Sequence, residues 1–166
     1  DETIKRLEEY VDQKKWLTVI RLTRQFGQVN AIIAGLNYTK ADAAIVMDAD
    51  LQDPPEIIPQ MINAHLQGSD IVLIKRPSET KNIFYRICSK IFYKLQSTFF
   101  DISIPENVGE FRLLSRRAID FIITRPEVTT FFRGISLWPG YQFSFIEIER
   151  SKRFAGETKY NFFRSL

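Results

Sequence analysis

The feature that most constrains the fold of this chain is a pair of short apolar runs separated by one helix-like segment. The first run is Ala43 to Met47, and the second lies within Asp70 to Arg76. Between them, Asp53-Pro-Pro-Glu56 is typical of a helix start, with Asp53 as the cap and Glu56 completing a capping box. Gly68 is typical of a helix end. Two strands joined through one helix by short connections favour a parallel sheet covered by helices.

The preceding residues extend this alternation toward the start of the chain. The apolar pattern predicts a helix over residues 3–14, a buried strand from Trp16 to Leu22 and a short helix from Gln28 to Asn37. We therefore predict an α/β fold with a mostly parallel, Rossmann-like sheet flanked by helices. Because such a sheet normally opens with a strand and this chain opens with a helix, we expect that first strand to be missing from it.

The second half of the chain predicts a mixture of helices and strands. Its patterns indicate helices over Asn82–Phe99, Arg117–Thr124 and Thr130–Trp138, and a strand over Phe111–Leu114. Tyr141 to Glu149 alternates polar and apolar residues, which is typical of an antiparallel strand with one face in water. We treat residues 1–166 as a single domain, since that length suffices for one core.

Composition restricts the partners that this domain is expected to have. A formal net charge of +3 suits phosphate-bearing ligands or an anionic lipid surface, and we expect no nucleic-acid partner. The single cysteine, Cys88, excludes an internal disulfide and agrees with a reducing compartment. No run reaches the length of about 18 apolar residues that a membrane-spanning helix requires.

Two aspartates at the end of the first apolar run are the strongest candidates for chemistry. Asp48 and Asp50 are two residues apart, so in an extended segment both carboxylates point to the same side and can bind one hard cation. Ligands in open α/β sheets bind at the carboxyl ends of the strands, where this pair lies. An EF-hand is excluded because Asp53 and Pro59 occupy the loop positions that need glycine and glutamate. The alternative is a strand end followed by a helix cap.

The residues around this pair resemble a known family. Met47-Asp-Ala-Asp-Leu-Gln-Asp-Pro-Pro-Glu56 is similar to the signature of family 2 polyprenyl-phosphate glycosyltransferases, which include bactoprenol glucosyltransferases and dolichyl-phosphate mannose synthase. The resemblance continues, in the family's order, through residues 21–27, 107–116, 132–134 and 155–160. It implies a GT-A fold, an Mg²⁺ or Mn²⁺ cofactor, a nucleotide-sugar donor and a polyprenyl-phosphate acceptor.

The resemblance also implies roles for individual residues. Asp48 and Asp50 match the metal- and diphosphate-binding pair, and Gln52 matches a residue that supports the metal site and the donor. Glu110 stands where the family usually has aspartate, so we predict that it orients the reacting groups or ligates near the metal. The alternative for Glu110 is a structural ion pair with Arg112, two residues further along the same strand.

Four basic residues complete the predicted set of substrate-binding side chains. Arg112 is expected to contact substrate, and the resemblance places Arg133, Arg153 and Lys159 near the acceptor phosphate, with Arg133 among the catalytic residues. From composition alone, Arg153 and Lys159 are equally consistent with a solvated basic loop. A phosphate acceptor is mostly ionised at pH 7, so it needs cations to hold it and no strong base.

The implied function is the inverting transfer of a hexose from a UDP- or GDP-sugar to polyprenyl phosphate at the cytoplasmic membrane face, for cell-envelope polysaccharide. One alternative is a glycosyltransferase with a saccharide acceptor, although such enzymes usually carry Gln-x-x-Arg-Trp and this chain has Thr130-Phe-Phe-Arg-Gly134. Another is a non-catalytic, membrane-associated domain of the same fold. A homo-oligomer is left open.

Membrane contact is expected from the segment around residues 82–99. An apolar stripe is combined there with Lys81, Arg86, Lys90 and Lys94, which is typical of a helix at an anionic bilayer surface. Core packing with solvated basic residues is the alternative. Relatives in the family carry nucleoside-binding motifs before the first helix, and many continue into transmembrane helices after the catalytic domain. We expect this chain to lack both.

Overall fold

The computed structural model describes residues 2–11, 13–50, 52–75, 108–125, 132 and 140–148. The helices are α1 (Thr3–Val11), α2 (Gln28–Tyr38), α3 (Ile58–Leu66, preceded by a 3₁₀ turn over Pro55–Ile57) and α4 (Arg116–Ile123). The strands are β1 (Ala43–Val46), β2 (Ile71–Lys75), β3 (Val108–Ser115) and β4 (Phe143–Glu147). The predicted helix over 82–99 lies outside the described residues, as does the predicted helix over 130–138 apart from Phe132.

The strands form one mixed sheet in the order β1-β3-β2-β4. β3 is antiparallel to both of its neighbours, whereas β2 and β4 are parallel, so β1, β2 and β4 all run in one direction. The predicted α/β class is therefore confirmed. The prediction of an antiparallel strand over 141–149 is wrong, because alternating polarity reports an exposed face at a sheet edge and carries no information on strand direction.

Each face of the sheet has its own apolar core, since successive strand residues point to opposite sides. On one face, Ile71, Leu73 and Leu114 pack with residues of α2 and α4 and with Phe132. On the other face, Val72 and Leu113 belong to a cluster that includes Met61 of α3. Each fully buried aliphatic side chain contributes about 1.5–3 kcal/mol to folding, so the two clusters fix the sheet between its helices.

The predicted strand from Trp16 to Leu22 is wrong: the structure describes these residues and places them in no helix or strand. Trp16 is 80% exposed, and Leu17 and Leu22 are only half-buried. A β-forming composition stabilises a strand only where a neighbouring strand packs against it. None of the four described strands pairs with this segment.

The start of α3 also differs from its prediction. Pro54, and not Asp53, occupies the position before the 3₁₀ turn, and Pro54 makes no capping hydrogen bond, so the predicted cap position and capping box are wrong. Pro54 and Pro55 have no N–H groups, which removes donors that a cap would otherwise satisfy. The predicted helix end is confirmed, because Gly68 follows α3 with a φ of 106°.

Within the described ranges, no helix is long and apolar enough to cross a membrane.

Candidate active site

The candidate site begins where β1 ends. Asp48 lies two residues after the last residue of β1, and Gln28, the first residue of α2, donates from Nε2 to its Oδ1 at 2.7 Å. Gly27 just before α2 has a φ of 86°, a conformation that favours glycine and turns the chain into the helix. The start of α2 therefore holds one of the two predicted metal-binding carboxylates in place.

The loop after β1 folds back on its own aspartate. The backbone N–H of Gln52 donates to Oδ1 of Asp50 at 3.1 Å, which is the local hydrogen bond that aspartate makes in turns. Gln52 is 8% exposed and Asp53 is 1% exposed, so the end of this loop is packed against the protein. The hydrogen bond from the buried Gln52 restrains the Asp50 carboxylate.

Strand β3 brings two further charges to the same edge of the sheet. Val46, the last residue of β1, is paired with Arg112, and because β3 is antiparallel, Glu110 lies beyond the end of β1. The pairing of β2 with β3 shifts register in this stretch, between Leu73 and Lys75. Irregularities of this kind redirect side chains and are common beside active sites.

Glu110 and Arg112 form the predicted alternative, an ion pair within strand β3. Nη2 of Arg112 lies 3.4 Å from Oε2 of Glu110, and the two side chains are 1% and 10% exposed. The same nitrogen donates to the carbonyl oxygen of Gly109 at 2.9 Å. The ion pair is thus confirmed, while the predicted roles of both residues toward substrate stay predictions.

The charges of three other carboxylates act on Asp48 at this edge. The pKa of Asp48 is raised, first by burial and then by the negative charges of Asp53, Asp50 and Glu110, in that order. The hydrogen bond from Gln28 acts in the opposite direction and lowers the pKa of Asp48. Because the neighbouring negative charges oppose the ionisation of Asp48, a bound cation would stabilise the ionised carboxylate.

The residues present fit a divalent cation that also binds a substrate phosphate. Among the described residues, no three His, Cys, Asp or Glu side chains are arranged to hold a metal ion by themselves. Mg²⁺ is usually held by one or two carboxylates, with water and substrate phosphate oxygens completing its shell. Asp48 and Asp50 supply two such carboxylates, and Gln52 an amide oxygen in the adjoining loop.

A groove gives access to this edge of the sheet. It has a volume of about 410 Å³ and lies between α2 and β1, where its lining includes Ile32, Leu36 and Val46. Gln28 and Asp48 also line it. Asp48 therefore faces a space that a ligand can enter.

Asp53 is the acidic residue that sequence reasoning missed. The sequence predicts a helix cap at Asp53, yet its side chain is 1% exposed and its charge is the largest charge contribution to the raised pKa of Asp48. The two prolines after it were the available signal, because a helix that starts without N–H groups has less need of a capping carboxylate. The predicted phosphate-binding residues Arg133, Arg153 and Lys159 lie outside the described residues.

The model of the glycosyl transferase family 2 matches residues 1–123 of this chain. An uncharacterized glycosyltransferase of Synechocystis sp. is 36% identical over 165 residues, which are 99% of this chain and 52% of the relative. The bactoprenol glucosyl transferase of Shigella phage SfX is 42% identical over 143 residues, 86% of this chain and 47% of that protein. A prophage bactoprenol glucosyl transferase homolog of Escherichia coli K12 is 41% identical, with the same coverage of 86% and 47%.

These relatives extend well beyond the matched region, since the chain spans about half the length of each. A solved structure of a mycobacterial protein superposes with a TM-score of 0.44 at 14% identity, over 84% of this chain and 47% of the other. That similarity is too low to support an argument. The family match and the mixed α/β sheet together confirm the predicted GT-A, Rossmann-like fold class. The chain belongs to glycosyl transferase family 2.

Proposed function

We propose that the protein transfers a hexose from a UDP- or GDP-sugar to a polyprenyl phosphate, with inversion at the anomeric carbon. The observation that carries this proposal is the position of Asp48 and Asp50 just after the carboxyl end of β1 in a family 2 chain, with both carboxylates held by hydrogen bonds. The similarity to bactoprenol glucosyl transferases supports the acceptor class, because the name of those relatives identifies a lipid acceptor.

The carboxylates suit a reaction whose leaving group is a diphosphate. Asp48, Asp50 and Gln52 would hold Mg²⁺ or Mn²⁺, which would neutralise the charge that develops on the departing diphosphate. Gln28 orients Asp48, and the turn at Gln52 orients Asp50, so both carboxylates are positioned before substrate binds. A preorganised site of this kind spends no free energy on rearrangement during the reaction.

The chemical step is a single displacement. An oxygen of the acceptor phosphate forms a bond to the anomeric carbon as the bond to the donor diphosphate breaks on the opposite face, which inverts the centre. The acceptor is already ionised near neutral pH, so no strong base is required. Glu110 orients the reacting groups, and Arg133, Arg153 and Lys159 hold the acceptor phosphate close to the donor.

A lipid acceptor requires the site to work at a membrane surface, and we place it at the cytoplasmic face. The net charge of +3 and the basic residues Lys81, Arg86, Lys90 and Lys94 support attraction to anionic lipid. Each such residue near the surface contributes about 1 kcal/mol at low salt. Binding of the protein to anionic vesicles should therefore weaken as salt is raised.

The test measures release of UDP or GDP by the complete protein supplied with a panel of nucleotide-sugars and a short-chain polyprenyl phosphate in detergent. We expect release only with the lipid phosphate present, and loss of release when EDTA is added. The anomeric configuration of the product, read from its proton coupling constant, tests inversion.

Two other results would redirect the assignment. Release driven by a free saccharide, and unaffected by polyprenyl phosphate, would indicate a saccharide acceptor. Binding of nucleotide-sugar without release, with any acceptor, would indicate a non-catalytic domain of the same fold. Release that persists in EDTA would remove the metal from the proposal.

A further inference from the structure

Arg112 is the largest side chain that the described core buries completely. It is 1% exposed and lies in the sheet between Val46 of β1 and Leu73 of β2. A guanidinium removed from water destabilises the fold unless hydrogen bonds and a counter-charge compensate for lost hydration. A buried arginine at the edge of the acidic site therefore requires a specific reason.

The contacts of Arg112 join two parts of the candidate site. Its Nη2 atom bonds the Gly109 carbonyl at 2.9 Å and lies 3.4 Å from the Glu110 carboxylate. Its Cζ atom lies 5.1 Å from the centre of the Phe132 ring. The guanidinium combines these hydrogen bonds with a position over the Phe132 ring, a combination that lysine cannot reproduce.

Phe132 is itself fixed in the core. It is 2% exposed and belongs to the apolar cluster with Leu36, Ile71 and Leu73. The residue after Phe132 in the chain is Arg133, which we place at the acceptor phosphate under the proposed function. The contact with Arg112 therefore restrains Phe132, the residue that precedes Arg133 in the sequence.

We infer that Arg112 is a positioning residue, which fixes the Glu110 carboxylate and the Phe132 ring relative to each other. This inference rests on the proposed function, and it replaces the expectation that Arg112 contacts substrate. A side chain that is 1% exposed has almost no surface to offer a ligand. Arg112 instead acts through Glu110 and Phe132.

The test is a double-variant cycle in the complete protein. Arg112→Lys keeps the charge but loses the guanidinium fork and its contact with the ring, so kcat should fall about thirty-fold while KM for both substrates changes less than about threefold. In a Glu110→Gln background, the same substitution should lower kcat by less than about fivefold, because part of its effect acts through the carboxylate already removed.

Phe132→Leu tests the second contact with less risk to folding. It retains an apolar side chain and removes the ring, and we expect kcat to fall about tenfold with KM unchanged. The matched control is Arg117→Lys, since Arg117 also pairs with a carboxylate and lies 5.0 Å from the centre of an aromatic ring, but at the opposite edge of the sheet. Its kcat should stay within about twofold of wild type.

The outcomes separate this inference from the proposed function. A rise in KM without a fall in kcat would make Arg112 a substrate-binding residue, and fully additive effects with Glu110→Gln would make it a structural residue only. A wild-type protein that transfers no sugar overturns the proposed function and the catalytic part of the inference together. The contact with Glu110 is then tested by the same cycle in unfolding free energy, where additivity overturns it as well.

Discussion

Asp48 and Asp70 lie at opposite ends of the strands, which form two opposite edges of the same sheet. Their surroundings shift their pKa values in opposite directions. Asp48 follows the carboxyl end of β1, where burial and three other carboxylates raise its pKa. Asp70 precedes the amino end of β2, where the guanidinium of Arg117 is the main cause that lowers its pKa. One edge gathers like charges, whereas the other neutralises them.

The Asp70 edge is a set of matched partners. Arg117 donates to both oxygens of the carboxylate from Nε and Nη2, and Ser115 Oγ donates to Oδ1 at 3.1 Å. The backbone N–H of Gln142 donates to Oδ2 at 3.2 Å. These contacts tie the start of β2 to α4 and to the segment that enters β4. Asp70 thus connects three elements and contributes to stability.

The difference shows how one sheet separates stability from function. Charges that stabilise the fold are paired within the protein, as Asp70 is with Arg117. At the other edge, the negative charges of three carboxylates act on Asp48, and an external cation completes the balance under the proposed function. Substitutions at the two edges should therefore affect different measurements.

The largest effect is expected from Asp50→Asn. Loss of one carboxylate from the proposed cation site should reduce transfer at least about a hundred-fold, equivalent to about 2.7 kcal/mol in the activation barrier. The thermal midpoint should change little, because the residue lies beyond the strand and outside both apolar clusters. Asp120→Asn, on an aspartate that is 61% exposed on α4, is the matched control and should retain full activity. More than about a tenth of wild-type activity in Asp50→Asn would remove Asp50 from the site.

Asp70→Asn should give the reverse pattern. The substitution leaves the donors of Arg117, Ser115 and Gln142 without a carboxylate, and we expect a loss of about 2 kcal/mol in unfolding free energy. Denaturant unfolding measures this loss, and transfer activity per folded molecule should match wild type. A stable but inactive Asp70→Asn protein would contradict the separation of the two edges.

The two edges should also respond oppositely to pH. Asp70 has a folded-state pKa below the ordinary 3.8, so its contribution is present above that value and is lost as pH falls through the folded pKa. Asp48 has a folded-state pKa above 3.8, so its ionisation destabilises the fold as pH rises through that pKa. Unfolding free energies from about pH 2 to pH 7 should show Asp70→Asn losing most stability, relative to wild type, at the upper end. Asp48→Asn should gain stability there, and parallel curves for both variants would reject the comparison.

The smallest effect concerns the missed residue, Asp53. Asp53→Asn removes the largest charge contribution to the raised pKa of Asp48, so the pKa of Asp48 should move toward its ordinary value. Carbon-13 NMR titration of the Asp48 carboxyl measures the shift directly, in metal-free protein. The control is again Asp120→Asn, which should leave the Asp48 titration unchanged. An unchanged titration in Asp53→Asn would place Asp53 outside the electrostatic environment of the site.

Local patterns in the sequence determined the elements that position the site. The apolar run into Asp48-Ala-Asp50, the helix that ends before Gly68 and the strand from Ile71 were all predicted at nearly their observed bounds. Each depends on residues within a few positions of one another, where backbone preference and periodicity act. The motif around Asp48 was likewise sufficient to identify the family.

Tertiary structure decided everything that depends on a distant partner. Asp53 became a buried neighbour of Asp48, Arg112 was enclosed between Val46 and Leu73, and Trp16 remained exposed where a strand had been predicted. The direction of β4 was set by β2, about 70 residues earlier, through backbone hydrogen bonds that side-chain alternation does not encode. Burial, strand pairing and pKa shifts arise from contacts between residues far apart in the chain. A local sequence pattern can therefore identify a candidate residue, but its contacts and its pKa depend on the packed sheet.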